Sequence, residues 1–564
     1  MKKKSVKIYL AIILGIVFII SFWGIKFLHN DYFTNDYYRS NEQVVGIFDG
    51  SNLSNSLPAK PIICYTAVFK NTAIWSSRSN VETALANDDV LITVETWLKG
   101  VDYKNNVLTE VLNGRFDKQI HELAILAAKS RHQVFIRWNP DMEVPANVFP
   151  WQFKSPKDYI ISFNYFSKKI KMIAPKAQII WGPSGYPGDT EYWPGNKTVD
   201  YVSITLGSTS ENTTNFYPKD STVSYMLKHK LHRLRFINKP VLIIDNDTQK
   251  TPFKYSWLSE QKNYFNKYRH TAYSPNNYVD SADTKPVRSS LKIGVFDPNK
   301  KLLNQPEIGV EHLFTDWGEV ERGDFEKKFS EVINRRHEVI VTMEPWRDIS
   351  GKPDTAVLES ILNGRYDKQI KKLFSIISAT KNIVYLRWMH EMEIPIHRYN
   401  WQSQDPVTYI NAFRYFMQFD GGPGKNIRKV WGPAGDRGSA DFWPGSDVVD
   451  YISIAIYGLP DKNITDQDKQ EAFSTIFNRK YFRMRFLDKP LFITEFGVKG
   501  SESFQNKWLT DAAETINANP HIFGVCYFNL YDNPKAWGDI KAPDWSITPQ
   551  SMLKFCSLLK KYPH

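Results

Sequence analysis

The strongest constraint on how this chain folds is an internal repeat. VLNGRFDKQI at 111–120 returns as ILNGRYDKQI at 361–370, identical at eight of ten positions with an offset of 250. The same offset pairs WGPSG at Trp181 with WGPAG at Trp431, YWPG with FWPG, VDYVSI with VDYISI, and RLRFINKPVLII with RMRFLDKPLFIT. VGIFD at 45–49 pairs with IGVFD at 293–297 at an offset of 248. A period of this length is a whole domain and not a solenoid unit, and 564 residues are too many for one ordinary core. The chain reads as a leading segment, 1–30, followed by two copies of one domain, 31–290 and 291–564.

In the leading segment, Lys2, Lys3, Lys4 and Lys7 precede an uncharged apolar run from Ile8 to Ile25. The run is longer than a signal-peptide core and no small-residue cleavage site follows it, which predicts an uncleaved signal-anchor spanning a membrane once. A cleaved signal peptide and a buried soluble helix are the alternatives. The lysines on the N-terminal side place that end in the cytoplasm and both repeats outside the membrane. With Lys26 they supply five of the +12 net charges, so the repeats share only +7. Spread over so much surface, that is no nucleic-acid footprint. Cys64, Cys526 and Cys556 lie far apart, matching neither a metal-ligand spacing nor a disulfide framework.

In the second copy, short apolar runs recur at IGVFD, VEHLFTDW, EVIVTMEPW, NIVYLRWMHE, IRKVWGPAG, VDYISIAIYG, PLFITEFG and IFGVCYFNLY. Helical stretches such as DFEKKFSEVINRR separate most of them, and Asp405-Pro406 and Thr548-Pro549 have the form of a cap and first turn. Eight strands alternating with helices over about 270 residues predict an α/β fold, a closed (β/α)8 TIM barrel. An open doubly wound sheet is the competing arrangement, although no glycine-rich loop follows the first strand. In the first copy the pattern holds as far as PVLIIDND. Gly294 follows Asp245 by 49 positions whereas 69 residues follow Glu495, and nothing in that shorter stretch resembles IFGVCYFNLY. The first barrel is therefore expected to lack its last strand or to have remodelled it.

In a barrel of this kind, functional side chains sit at the C-terminal ends of the strands. Three acids close apolar runs in the second copy: Glu344, Glu391 and Glu495. Like charges aimed at one mouth repel, so something must neutralise or use them. One carboxylate kept protonated as an acid, facing another kept ionised as a nucleophile, is the arrangement that glycosidic bond cleavage requires. Trp346, Trp388, Trp431, Trp443 and Trp537 lie at or beyond strand ends, where flat rings stack on sugars or simply pack the core and rim.

LRWMHEME, VWGPAG, FWPGSDVVDYISIAIYG, KPLFITEFG and GVCYFNLY, in that order, resemble glycoside hydrolase family 26, best known for endo-β-1,4-mannanases and including some β-glucanases. The match runs from about Gly294 to the end of the chain. The resemblance implies that Glu391 is the acid/base and Glu495 the nucleophile of a retaining double displacement. It implies that His390 holds the carboxylate cluster, that Tyr457 hydrogen-bonds the nucleophile, and that Trp431 and Trp443 contact sugar. Glu344, Arg387, Trp346 and Trp537 complete the expected substrate-binding set, and the chemistry needs no metal or cofactor. The mannanases usually carry Asn two positions after the acid/base, where this chain has Glu393. A charge there is expected to repel the sugar or to bind a hydroxyl that mannose does not present.

In the first copy Asp141, Asp245, Pro140 and Gly207 stand where the second has Glu391, Glu495, His390 and Tyr457, while Glu95, Trp97, Trp138, Trp181 and Trp193 are kept. Shorter carboxylates and two missing partners predict a pseudo-enzyme. It would hold polysaccharide for its neighbour or act as a spacer above the membrane. The expectation for the whole chain is a membrane-anchored, extracytoplasmic endo-β-glycosidase acting on a β-1,4-mannan-like polymer or β-glucan. The rival reading is a non-catalytic protein that binds polysaccharide or assists exopolysaccharide export and biosynthesis.

Overall fold

The computed structural model describes residues 39–49, 54–56, 62–70, 78–98, 106–146, 148–206, 223–245, 286–459, 470–534, 537 and 541–560. The predicted anchor at 1–30 lies outside them, as does Gly207. No helix among the described residues is long and apolar enough to cross a membrane. The described residues divide into two compact units.

Strands are numbered along the chain. The first unit holds β1 (Arg39–Asp49), β2 (Ser54–Ser56), β3 (Ile62–Lys70), β4 (Val90–Trp97), β5 (Val134–Trp138), β6 (Gln178–Trp181), β7 (Tyr201–Leu206) and β8 (Val241–Asp245). The second holds β9 (Lys292–Phe296), β10 (Val310–Thr315), β11 (Glu338–Met343), β12 (Val384–Trp388), β13 (Ile427–Trp431), β14 (Tyr451–Tyr457), β15 (Leu491–Gly497) and β16 (Ile522–Phe528).

In the second unit, β9 to β16 close into a parallel barrel. Helices follow the strands, and their starts are written in the sequence. Asp405 accepts a hydrogen bond from the Thr408 amide at 2.8 Å ahead of Pro406, and Thr548 caps the last helix through the Ser551 amide at 3.1 Å. The barrel floor is a layer of inward side chains, Val310, Ile340, Tyr385, Val430, Phe492 and Cys526, one from each of six strands. Alternation along the strands places the next inward residues of four of them, His312, Thr342, Arg387 and Thr494, above that floor.

The first unit departs from expectation at its first strand. β3 to β8 run parallel in the order of the second barrel, but β1 lies between β3 and β8 and is antiparallel to both, with β2 paired antiparallel to its last residues, Ile47–Asp49. VGIFD therefore does not repeat the parallel first strand that IGVFD forms in β9. The reason is the missing partner: no strand among the described residues corresponds to β16. Without it, β3 and β8 would each present an unpaired row of backbone donors and acceptors. A reversed β1 pairs with both rows.

Candidate active site

Arg387 lies at the centre of the second barrel, 2% exposed. Its Nε donates to Thr342 Oγ1 at 2.8 Å, its Nη1 to Thr494 Oγ1 at 3.0 Å, and its Nη2 to the Glu495 carboxylate. Tyr457, ending β14, donates its hydroxyl to the other Glu495 oxygen at 2.8 Å. Burial, then the Glu495 charge, holds the Tyr457 phenol well above its usual range, so it stays a donor. Its ring lies against Trp545, with centroids 4.8 Å apart.

Glu495 reaches this position through a β-bulge. Between Phe492 and Glu495 the strand spends one more residue than β14 does between Ser453 and Ala455, and between Ile493 and Phe496 one more than β16 spends between Val525 and Tyr527. Thr494 and Glu495 can then both meet Arg387, although they are consecutive and a regular strand would point them to opposite faces. In the first unit β8 pairs with β7 without interruption from Val241 to Asp245. Leu242 and Ile244 face the core there, so Asp245 has the opposite parity. Arg137, the counterpart of Arg387, keeps its bond to a threonine, Thr93, at 2.9 Å. Its outer nitrogen instead pairs at 2.9 Å with Glu42 on the reversed β1.

Glu391 stands in the turn that ends β12. Met389 and Glu391 have φ of 44° and 54°, left-handed values that cost non-glycine residues energy. The turn is held from all sides. The Glu391 amide donates to Gly432 O at 2.8 Å, Trp401 Nε1 to His390 O at 2.8 Å, Gln402 Nε2 to Glu391 O at 3.1 Å, and the Tyr409 hydroxyl to Met389 O at 3.1 Å. Gly432 explains the WGP motif: a Cβ there would lie 2.7 Å from Arg387 Cδ. Half-buried Glu391 acts electrostatically on Arg398, Tyr399 and Tyr457, which places its carboxylate on the same mouth as Glu495.

Glu344, just past β11, completes the acidic cluster. It accepts from the Tyr399 hydroxyl at 3.0 Å, and His390 Nε2 lies 3.7 Å away. Burial pushes the Glu344 carboxyl up to about 7, and the Glu495 charge adds to the shift. His390 is held well below its usual range by burial, then by the charges of Arg387 and Arg398, so it is neutral. The cluster thus avoids three adjacent negative charges by keeping a proton near Glu344 and a guanidinium against Glu495.

Several predicted sugar contacts have other roles. Trp431 and Trp443 are 0% and 2% exposed and pack edge to face, with centroids 5.1 Å apart and planes at 76°. Trp181 and Trp193 repeat the pair in the first unit at 5.2 Å and 73°. Neither second-unit ring offers a free face, because the β13 end is closed by the helical turn Ser439–Phe442 that precedes Trp443. Trp388 points outward and stacks on Phe416 at 4.8 Å. Trp346 and Trp537 are half-buried and remain at the mouth, the first with the Arg347 guanidinium 3.5 Å over its ring and the second 6.4 Å from Trp545. Glu393 turns away from the sugar side: its Oε1 accepts from the amides of Gly435 and Asp436 at 2.9 and 3.0 Å and from Ser439 Oγ at 2.7 Å. Glu143 does the same for the Gly185 and Tyr186 amides. One carboxylate oxygen at this position serves the loop, a role the residue order did not suggest.

Residue order alone missed Tyr399, Arg398, Trp545, Thr342, Thr494 and His312. A signal was present for the first: Tyr399 stacks on Trp401 as Phe149 does on Trp151, at 4.5 and 4.9 Å, so the pair is part of the repeat.

Fold and site together define a (β/α)8 barrel with strand-end carboxylates held by an arginine and a tyrosine. No known family's sequence profile matches the chain. Endoglucanase H of Acetivibrio thermocellus is 24% identical over 288 residues, covering 48% of this chain and 29% of that protein. The β-1,3-xylanase TXYA of a Vibrio species is 25% identical over 167 residues, covering 28% of this chain and 33% of its own. The chain thus spans about a third of the length of these curated relatives. Among solved structures, GH26C of a Muricauda species aligns with a TM-score of 0.36 and 14% identity, over 49% of this chain and 86% of that one. A β-(1,4)-mannanase of Podospora anserina aligns at 0.31 and 13%, over 48% and 64%.

Proposed function

We propose that the second unit is a retaining β-glycosidase that cleaves a polysaccharide, with Glu495 as nucleophile and Glu391 as acid/base. The observation that carries this reading is the bulge in β15, which delivers Glu495 to Arg387 and Tyr457 while Glu391 shares the same mouth. Arg387 holds one oxygen of Glu495 for attack at the anomeric carbon, and Tyr457 orients the other. Glu391 donates its proton to the leaving oxygen, and then removes one from the water that releases the sugar. Neutral His390 and the proton near Glu344 spare this pair a third charge. The names of the curated relatives, an endoglucanase and β-1,3-xylanases, support a β-linked polymer. The motif resemblance to family 26 supports β-1,4-mannan or β-glucan within that class.

In this reading the first unit is a spacer. Its arginine is occupied by Glu42, and Trp97 donates its indole N–H to Glu95 at 3.0 Å while lying edge-on to Phe149 and Trp151. A pocket occupied by its own side chains favours this over a sugar receptor. The segment at 1–30 would anchor both units outside the membrane. The test is reducing-sugar release by the full chain from β-mannan, glucomannan, mixed-linkage β-glucan and xylan, beside Glu391→Ala and Glu495→Ala. Cleavage of one polymer, abolished by both substitutions, supports the reading. Cleavage that survives either substitution, or none from any polymer, refutes it.

A further inference from the structure

His312 is a buried histidine that the mechanism above does not use. It lies on β10, 2% exposed, with its ring on Phe314 at 4.3 Å and its Nε2 2.7 Å from Thr342 Oγ1. The Arg387 Nε–H can only donate, so Thr342 Oγ1 must accept from it at 2.8 Å. The Thr342 hydroxyl keeps a proton to donate, and the imidazole nitrogen at 2.7 Å accepts it in the tautomer that carries the ring proton on Nδ1. The result is a continuous buried chain: the His312 ring meets Thr342, Thr342 accepts from Arg387, and Arg387 donates to Thr494 and Glu495.

The two repeats make the assignment sharper. The middle of the chain survives in the first unit, where Arg137 donates to Thr93 at 2.9 Å. Both ends are gone. Strand register sets Cys64 opposite Leu91, as His312 is opposite Ile340, so a thiol stands in the place of the imidazole. At the other end Asp245 stands for Glu495 on a strand without the bulge. Threonine and arginine belong to the scaffold, whereas the histidine accompanies the glutamate.

We propose that His312 is a positioning residue for the nucleophile: through Thr342 it fixes the Arg387 fork, and through Arg387 the orientation of the Glu495 carboxylate. The acceptor must be an uncharged ring, and burial followed by the Arg387 charge holds His312 well below its usual range. The titratable groups around this chain are Arg387 and His390 from β12 and its turn, Glu495 from β15 and the Cys526 thiol from β16. A protonated imidazole would add a second cation beside Arg387 and remove the acceptor.

This inference rests on the glycosidase reading, and its test separates the two. His312→Phe keeps the ring volume and removes the acceptor, whereas His312→Gln restores an acceptor near the place of Nε2. With the polymer that the wild-type full chain cleaves, kcat of the Phe variant is expected to fall about tenfold with KM unchanged, and the Gln variant to recover most of it. The Arg387 Nε–H resonance in 15N-labelled protein, assigned by Arg387→Lys, is expected to move in the Phe variant and return in the Gln variant. A kcat for the Phe variant within about twofold of wild type, or an equal loss in both variants, overturns the proposal. If the wild type cleaves no polymer, the glycosidase reading fails and the Arg387 resonance alone decides: moved and restored upholds the chain of bonds, unmoved overturns it.

Discussion

Replacing Glu344 by glutamine should change how the stability of the second unit responds to pH. Glu344 is half-buried beside Tyr399 and His390, and loss of water around its carboxyl pushes it up from 4.5 to about 7. An acid raised in the folded state costs the fold nothing below its unfolded value. The cost grows as pH rises from about 4.5 to about 7 and is complete above that, because the native carboxyl must then ionise with little water around it. A shift of this size corresponds to about 3 kcal/mol. The amide of Glu344→Gln still accepts from the Tyr399 hydroxyl but cannot ionise, so the variant escapes the cost. At roughly 2–4 °C per kcal/mol for a unit of this size, the variant should melt about 6–12 °C above wild type at pH 8 and match it near pH 4.5. Differential scanning calorimetry of both proteins across that range measures the gap. Melting curves that run parallel at every pH would refute the assignment of a desolvated, proton-holding carboxyl at this position.

Other outcomes follow from packing and register. Trp443→Ala should cost about 3–5 kcal/mol in chemical denaturation and leave KM for the polymer unchanged, since the ring is core. A KM rise with full stability would return Trp443 to the sugar. Gly432→Ala sets a methyl 2.7 Å from Arg387 Cδ, so overpacking of about 1–3 kcal/mol should accompany a lower kcat, read by calorimetry and initial rates. In a chain inactivated by Glu391→Ala and Glu495→Ala, adding Pro140→His, Asp141→Glu and Asp245→Glu to the first unit should restore no reducing-sugar release. Recovery would refute the claim that β8 lacks the register a nucleophile needs.

Much of this molecule is legible in its residues. The steady 250-residue offset from VLNGRFDKQI onward makes the repeat plain, and apolar runs ending in Glu344, Glu391 and Glu495 are enough to find the barrel mouth, because the fold itself gathers strand ends. What stayed hidden depends on partners distant in sequence. The direction of β1 goes with the lack, among the described residues, of a strand matching β16, and nothing within VGIFD differs from IGVFD in a way that reports it. The bulge in β15 leaves no gap in the alignment, since Asp245 and Glu495 stand at equivalent positions. Trp431 and Trp443 sit at a strand end and just beyond the following turn, and only the closing of that turn shows that their faces are covered. Glu393 reads as a specificity residue until its oxygen is found on two backbone amides.

The left-handed turn after β12 carries a wider lesson. Asn139 and Asp141 adopt φ of 41° and 57° in the first unit, nearly matching Met389 and Glu391, and the Asp141 amide reaches Gly182 O at 2.9 Å as the Glu391 amide reaches Gly432. Trp151 and Gln152 hold the turn's carbonyls there too. A conformation kept by a copy that has Asp141 in place of Glu391 is a property of the mount and not of any one side chain on it. The turn is a socket: its strain is met by a tryptophan, a glutamine and a glycine outside it, so side chains can be exchanged within it at little backbone cost. Duplication therefore gave this protein a place to lose or gain chemistry without refolding, and a designer seeking a new acid on a barrel of this type would start from that socket.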